Sequence, residues 1–177
     1  MPIIGIMASS TAPTSFDSIQ TVTVGAGGQG TIVFDSIPSG YTHLQVRAFN
    51  VSAATFADVR FNGDTGSNYV FQQIESSGTV AAAGGNGQTS IYTNQLGGNA
   101  TFPSIGIIDI YDYANTSKNK TVRLLSGVTS ASGGIIYLRS GVWLNNNAIT
   151  SMTFRAVSGS GTFNQHTTYA LYGMKGV

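Results

Sequence analysis

The sequence predicts an all-β protein, an antiparallel sandwich built as a single domain. Apolar and polar residues alternate with a period of two along many short stretches. Gly-, Pro- and Asn-rich turns separate those stretches at intervals of roughly eight to fifteen residues. No stretch of useful length has the apolar spacing of an amphipathic helix. The clearest strand is 41–50, where Leu44, Val46 and Ala48 alternate with His43, Gln45 and Arg47. One set of side chains therefore enters a core and the other meets water.

Residues 1–15 read as an N-terminal arm and 16–177 as the sandwich domain. The start, MPIIGIMASS, lacks a basic region and its apolar run is too short for a signal peptide. Its isoleucines Ile3, Ile4 and Ile6 are expected to contact another subunit, with the arm laid as a strand on an open edge. Residues 16–19 suit a short helical turn or an edge pairing, and 18–24 a first strand. A strand at 31–36 leads through Pro38-Ser39-Gly40, where Pro presets φ for a turn, into the 41–50 strand. After a loop at 51–56 come a short strand at 58–62, a polar loop at 62–68 and a strand at 69–76.

The stretch 79–88, TVAAAGGNGQ, reads as an exposed loop with some strand at its start. A strand at 90–96 and a turn at 97–101 precede 104–113, SIGIIDIYDY. There Ile108 and Ile110 occupy one face and Ile105, Ile107 and Tyr111 the other, the pattern of a strand covered on both sides. A polar loop at 114–120 joins it to a strand at 121–130. In the strand 135–145, Ile136, Leu138, Val142 and Leu144 are expected inward. Tyr137, Arg139 and Trp143 share the other face and are candidate interface residues, of types enriched in interface cores. The same three would equally form a second small core under a loop. Strands at 150–157 and 166–175 close a count of about ten or eleven, the spacing of a sandwich or jelly roll.

Composition narrows the function. Charged residues make up 8% of the 177 residues and the net charge is +1, against roughly a quarter charged in ordinary domains. The eight Lys and Arg are scattered, so the electrostatic footprint of nucleic-acid binding is missing. Such a weakly charged surface suits contact with copies of itself or with other subunits. No apolar run reaches the roughly 20 residues of a membrane helix. The chain has no cysteine, which excludes disulfides and thiolate metal sites.

Several short motifs carry a chemical reading and a plainer one. Residues 25–30, GAGGQG, match the G-x-G-x-x-G dinucleotide fingerprint, but the β-branched run that follows is a strand where that mechanism needs a helix. A glycine-rich hairpin turn, with glycines accepting positive φ, is expected instead. Asp64-Thr65-Gly66 is the tripeptide of aspartic proteases, which require two such carboxylates together. With one copy present, Asp64 is expected to accept backbone N–H groups in its own turn. Asn62, Asp64 and Asn68 could offer oxygens to calcium, though one carboxylate is few. The sequons at Asn50, Asn99, Asn115 and Asn119 have no consequence without a secretory signal. Asp109 and Asp112 fall on opposite faces, and His43 and His166 read as strand-face residues. No catalytic residue, metal ligand or cofactor is therefore expected, and the chain reads as non-enzymatic.

MPIIGIMASS, SIPSGYTHLQVR (37–47), FNGDTGSNY (61–69), IIDIYDYANTSKNKTVRLLSG (107–127) and YALYGMKG (169–176) together resemble small virion structural proteins of tailed bacteriophages, notably phages of cyanobacteria. The resemblance implies a jelly-roll β-sandwich, assembled as a homotrimer, that decorates and cements the head by binding the major capsid protein. It implies a location on the capsid surface after assembly in the bacterial cytoplasm. It also implies an alternative, a receptor- or carbohydrate-binding tip of a tail fibre, for which Tyr137, Arg139 and Trp143 beside the 145–147 turn would form the sugar platform.

Overall fold

The computed structural model describes residues 16–52, 56–95, 101–130, 133–157 and 161–175. The expected arm, with Ile3, Ile4 and Ile6, lies outside the described residues. The described chain forms twelve strands: β1 (Phe16–Thr23), β2 (Thr31–Phe34), β3 (His43–Asn50), β4 (Phe56–Phe61), β5 (Tyr69–Ser76), β6 (Val80–Gln88), β7 (Ile91–Gln95), β8 (Ser104–Tyr111), β9 (Lys120–Ser130), β10 (Gly133–Trp143), β11 (Met152–Val157) and β12 (Thr168–Met174). They make an eight-stranded sheet in the order β1-β12-β3-β8-β9-β10-β5-β6 and a four-stranded sheet in the order β2-β11-β4-β7. All pairings are antiparallel. The predicted sandwich is what the chain forms.

Two hairpins, β5–β6 and β9–β10, widen the larger sheet. Without them the frame is β1-β12-β3-β8 over β2-β11-β4-β7, and every step between successive frame strands except β4 to β7 crosses between the sheets. The core fills the space between them. Leu44, Val46, Ile108, Ile110, Val122 and Leu124 come from the larger sheet, and Ile32, Phe34, Val59, Phe61, Met152 and Phe154 from the smaller. Each such buried side chain contributes about 1.5–3 kcal/mol relative to exposure. Phe34 meets Phe154 edge to face with centroids 6.1 Å apart, and Phe154 lies 4.9 Å from Tyr169.

Local chemistry sets the turns. Asn62 (φ 50°) and Gly63 (φ 67°) both take positive φ, and the Asp64 amide closes on the Phe61 carbonyl at 2.9 Å. Asn-Gly supplies such a turn because both residues tolerate that region. The 25–30 glycines, with Gly27 and Gly28 at positive φ, carry the chain from β1 in one sheet to β2 in the other. The glycines do make a turn in place of a phosphate-binding loop, but the expected hairpin is not formed, because β1 and β2 lie in different sheets and the segment crosses between them.

Of the two alternatives for residues 16–19, the edge pairing is what forms: they are part of the edge strand β1, paired with β12. Two readings of local structure change. The stretch read as a loop at 79–88 is the edge strand β6, paired to β5 along Val80–Gly85; its Ala and Gly side chains give a weak strand signal, while the backbone makes the pairing. His166 lies in the turn before β12, at φ 74°, and not on a strand face.

Candidate interaction surface

The aromatic face of β10 points into the protein. Trp143, Arg139 and Tyr137 are 1%, 4% and 5% exposed, whereas Ile136, Leu138 and Leu144 are exposed. The inward and outward assignments read from the sequence are therefore exchanged. Large rings bury more area than Ile or Leu, and their polar tips find partners inside. The Trp143 Nε1–H donates to Asp64 Oδ2 at 2.7 Å, and its ring stacks on Tyr69 and tilts against Phe61. Arg139 Nε donates to Gln73 Oε1 at 2.8 Å, while its two terminal nitrogens donate to the Tyr92 carbonyl and to Gln73 Oε1.

The Arg139 guanidinium also lies over the rings of Phe71, Tyr92 and Tyr137. Burial lowers its pKa to about 10. Its charge is met one step away, because Gln73 Nε2 donates to Glu75 Oε2 at 2.6 Å. Trp143 belongs to the main core between the sheets, as does the Phe71 ring under Arg139, so the three side chains extend that core and the separate second small core allowed by the sequence is not formed. An exposed sugar platform built on these three side chains does not exist.

Reversing β10 leaves an aliphatic surface outside. Cross-strand partners share a face, and the register sets Ile107 opposite Leu125, Leu125 opposite Leu138, Leu138 opposite Ile74 and Ile74 opposite Ala82. One row thus crosses β8, β9, β10, β5 and β6. A second row runs Phe49, Ile105, Gly127, Ile136. The six Ile and Leu side chains of the two rows are 43–62% exposed. Gly127 has no side chain between Ile105 and Ile136, and a cavity of about 400 Å³ lies there, walled by Ile105, Ile107, Leu125 and Ile136. The exposed aliphatic side chains are contiguous over four strands, β8, β9, β10 and β5.

A polar row borders it: Gln45, Asp109, Arg123, Ser140 and Gln72. Gln45 Nε2 donates to Asp109 Oδ1 at 2.8 Å, and Arg123 lies over the Tyr111 ring. Ile105 and Ile107, read as the second covered face of the 104–113 strand, are uncovered within one chain.

The chemically suggestive motifs are structural. Asp64 Oδ1 accepts the Gly66 amide at 2.8 Å, as expected of a turn aspartate, and Oδ2 accepts from Asn68 Nδ2 and Trp143. Those donors, the indole first, hold its carboxyl below the usual range. Asn62 Oδ1 accepts the Thr150 and Ser151 amides. The Asn62 and Asp64 side-chain oxygens that a calcium ion would use are thus already taken by N–H donors. His43 Nδ1 accepts the Asp112 amide at 3.0 Å, and His166 lies at the other end of the β3–β12 ladder.

Lys120 drew no attention in the sequence. It is fully buried, and its Nζ donates to the carbonyls of Asn115, Lys118 (2.7 Å) and Asn146 (3.1 Å). Burial lowers its pKa. A lone Lys between a polar loop and a strand carries no periodic signal of burial. Asp58 is likewise buried and clasped by Arg155, with Nε to Oδ1 at 2.9 Å, and by Ser90 Oγ at 2.6 Å.

Fold and surface together define an all-β sandwich with one open aliphatic sheet face. No family model, curated protein or solved structure matches the chain.

Proposed function

We propose that this chain is a non-enzymatic virion structural protein of a tailed bacteriophage, a homotrimeric decoration or cement protein that binds the major capsid protein. It would act on the capsid surface after assembly in the bacterial cytoplasm. The observation that carries this reading is the uncharged aliphatic face spanning β8, β9, β10 and β5. Burying it yields about 25 cal/mol per Å² with no chemical step, which is the energetics of a cementing contact. We read the eight-strand frame, β1-β12-β3-β8 over β2-β11-β4-β7, as a jelly roll, in keeping with the sequence resemblance. The fibre-tip alternative relied on Tyr137, Arg139 and Trp143 as an exposed platform, and all three are buried.

The test mixes the purified full chain with phage heads carrying free decoration sites and follows co-sedimentation, with the mass in solution measured in parallel. A trimer that binds heads, and loses binding on Leu125→Asp, supports the reading. A monodisperse monomer with no affinity for heads overturns it.

A further inference from the structure

We infer that β6 is a self-pairing edge: it joins, antiparallel and across a two-fold axis, the β6 strand of a second copy of this chain. A sheet edge presents unpaired N–H and C=O groups, and proteins blunt such edges with charge, bulges or brevity. Three of the four edges here are blunted. β1 carries Asp17 and a register shift between Ser18 and Gln20; β2 has four residues; β7 has five, with a shift opposite Ala57 and Asp58.

β6 is different. It has nine residues, VAAAGGNGQ, with no charge and no proline. It also carries a register shift, opposite Tyr69 and Phe71, but only near its C-terminal end; its pairing to β5 is regular over the six residues from Val80 to Gly85, and Val80–Gly84 are exposed. Among the described residues, no strand pairs with its far side.

The partner follows from the strand's own chemistry. An isologous contact sets a surface against itself, so like charges would face each other across the axis. An uncharged strand of small residues escapes that repulsion. If the axis stands perpendicular to the sheet, paired residues share a face, and the exposed stretch Val80–Gly84 is centred on Ala82. Ala82 then opposes itself, Ala81 opposes Ala83, and Val80 opposes Gly84.

This pairing also makes the aliphatic surface continuous. The row Ile107, Leu125, Leu138, Ile74 ends on Ala82 at the edge, so joining two copies there fuses their exposed faces into one. A two-fold contact cannot lie inside a three-fold ring, so β6 would link one trimer to another. The inference therefore stands apart from the contact proposed above.

The chain has no cysteine, so a single one reports cleanly. Residues directly opposed in an antiparallel pair have Cα atoms about 4.5–5.5 Å apart, within the range a disulfide bridges. Full-length Ala82→Cys, oxidised under mild conditions, is expected to form a disulfide-linked dimer at least tenfold faster than Ser117→Cys, in an exposed loop. Ala82→Lys is expected to halve the mass of the largest assembly. Equal cross-linking rates for the two cysteine variants, or an unchanged mass for Ala82→Lys, overturns the β6 pairing and leaves the face contact standing. A wild-type chain that is monomeric at every concentration overturns both.

Discussion

Trp143 and Asp64 are bound to each other across 79 positions of sequence, the indole N–H donating to Oδ2 at 2.7 Å. The bond ties the end of β10 to the loop after β4, and Tyr69, stacked on Trp143, completes the tie with its hydroxyl donating to the Asp64 carbonyl. Asp64→Ala leaves a buried indole N–H without its acceptor, a loss of about 1–3 kcal/mol for that group alone. The urea midpoint should fall accordingly, and an unchanged midpoint would refute the assignment.

Acid should weaken the same tie. The folded-state pKa of Asp64 lies below its unfolded value, so its contribution is complete above about pH 4 and fades as pH drops through the folded pKa. Asp112, lowered chiefly by its bond from Lys118, acts in the same direction. Stability of the Asp64→Asn variant, followed from about pH 6 down to about pH 2, should decline less steeply than wild type.

Arg139 and Leu138 are neighbours in sequence with opposite roles. Arg139→Ala strands the Gln73 amide oxygen and the Tyr92 carbonyl in a buried site and should cost about 3 kcal/mol by thermal or urea unfolding. Leu138→Ser removes an exposed side chain and should change monomer stability by less than about 0.5 kcal/mol. Its effect should appear in sedimentation, as weaker self-association. A reversed outcome for the two variants would restore the face assignment read from the sequence.

Lys120→Met keeps the apolar stem and deletes the ammonium that serves three carbonyls. The protein should lose about 2–3 kcal/mol, and limited proteolysis should cut faster within 112–120. Calcium, in contrast, should leave the melting temperature of the wild-type chain unmoved, since Asp64 and Asn62 already accept N–H groups. A calcium-dependent rise would contradict that account.

The sandwich was legible because alternation such as Leu44, Val46, Ala48 is a local signal, and each of the three is buried. β10 was misread for a definable reason. Its alternation was plain, but choosing the inward face weighed aliphatic against aromatic and cationic side chains, and the partners that settle the choice, Asp64, Gln73 and Tyr92, lie 47 to 79 residues away. Only the start of β6 was read as strand, because Ala and Gly do not advertise one. Lys120 escaped because the three carbonyls it serves come from two separate turns. The exposed aliphatic face was therefore hidden by the same error that misplaced the core side of β10.

The β5–β6 hairpin ends in Ser77, Gly78 and Thr79, all exposed, with Gly78 at φ 108°. It hangs on a widened sheet outside the eight-strand frame. A foreign peptide spliced into that tip would disturb no side chain of the main core, so the molecule offers a ready mount for epitope display.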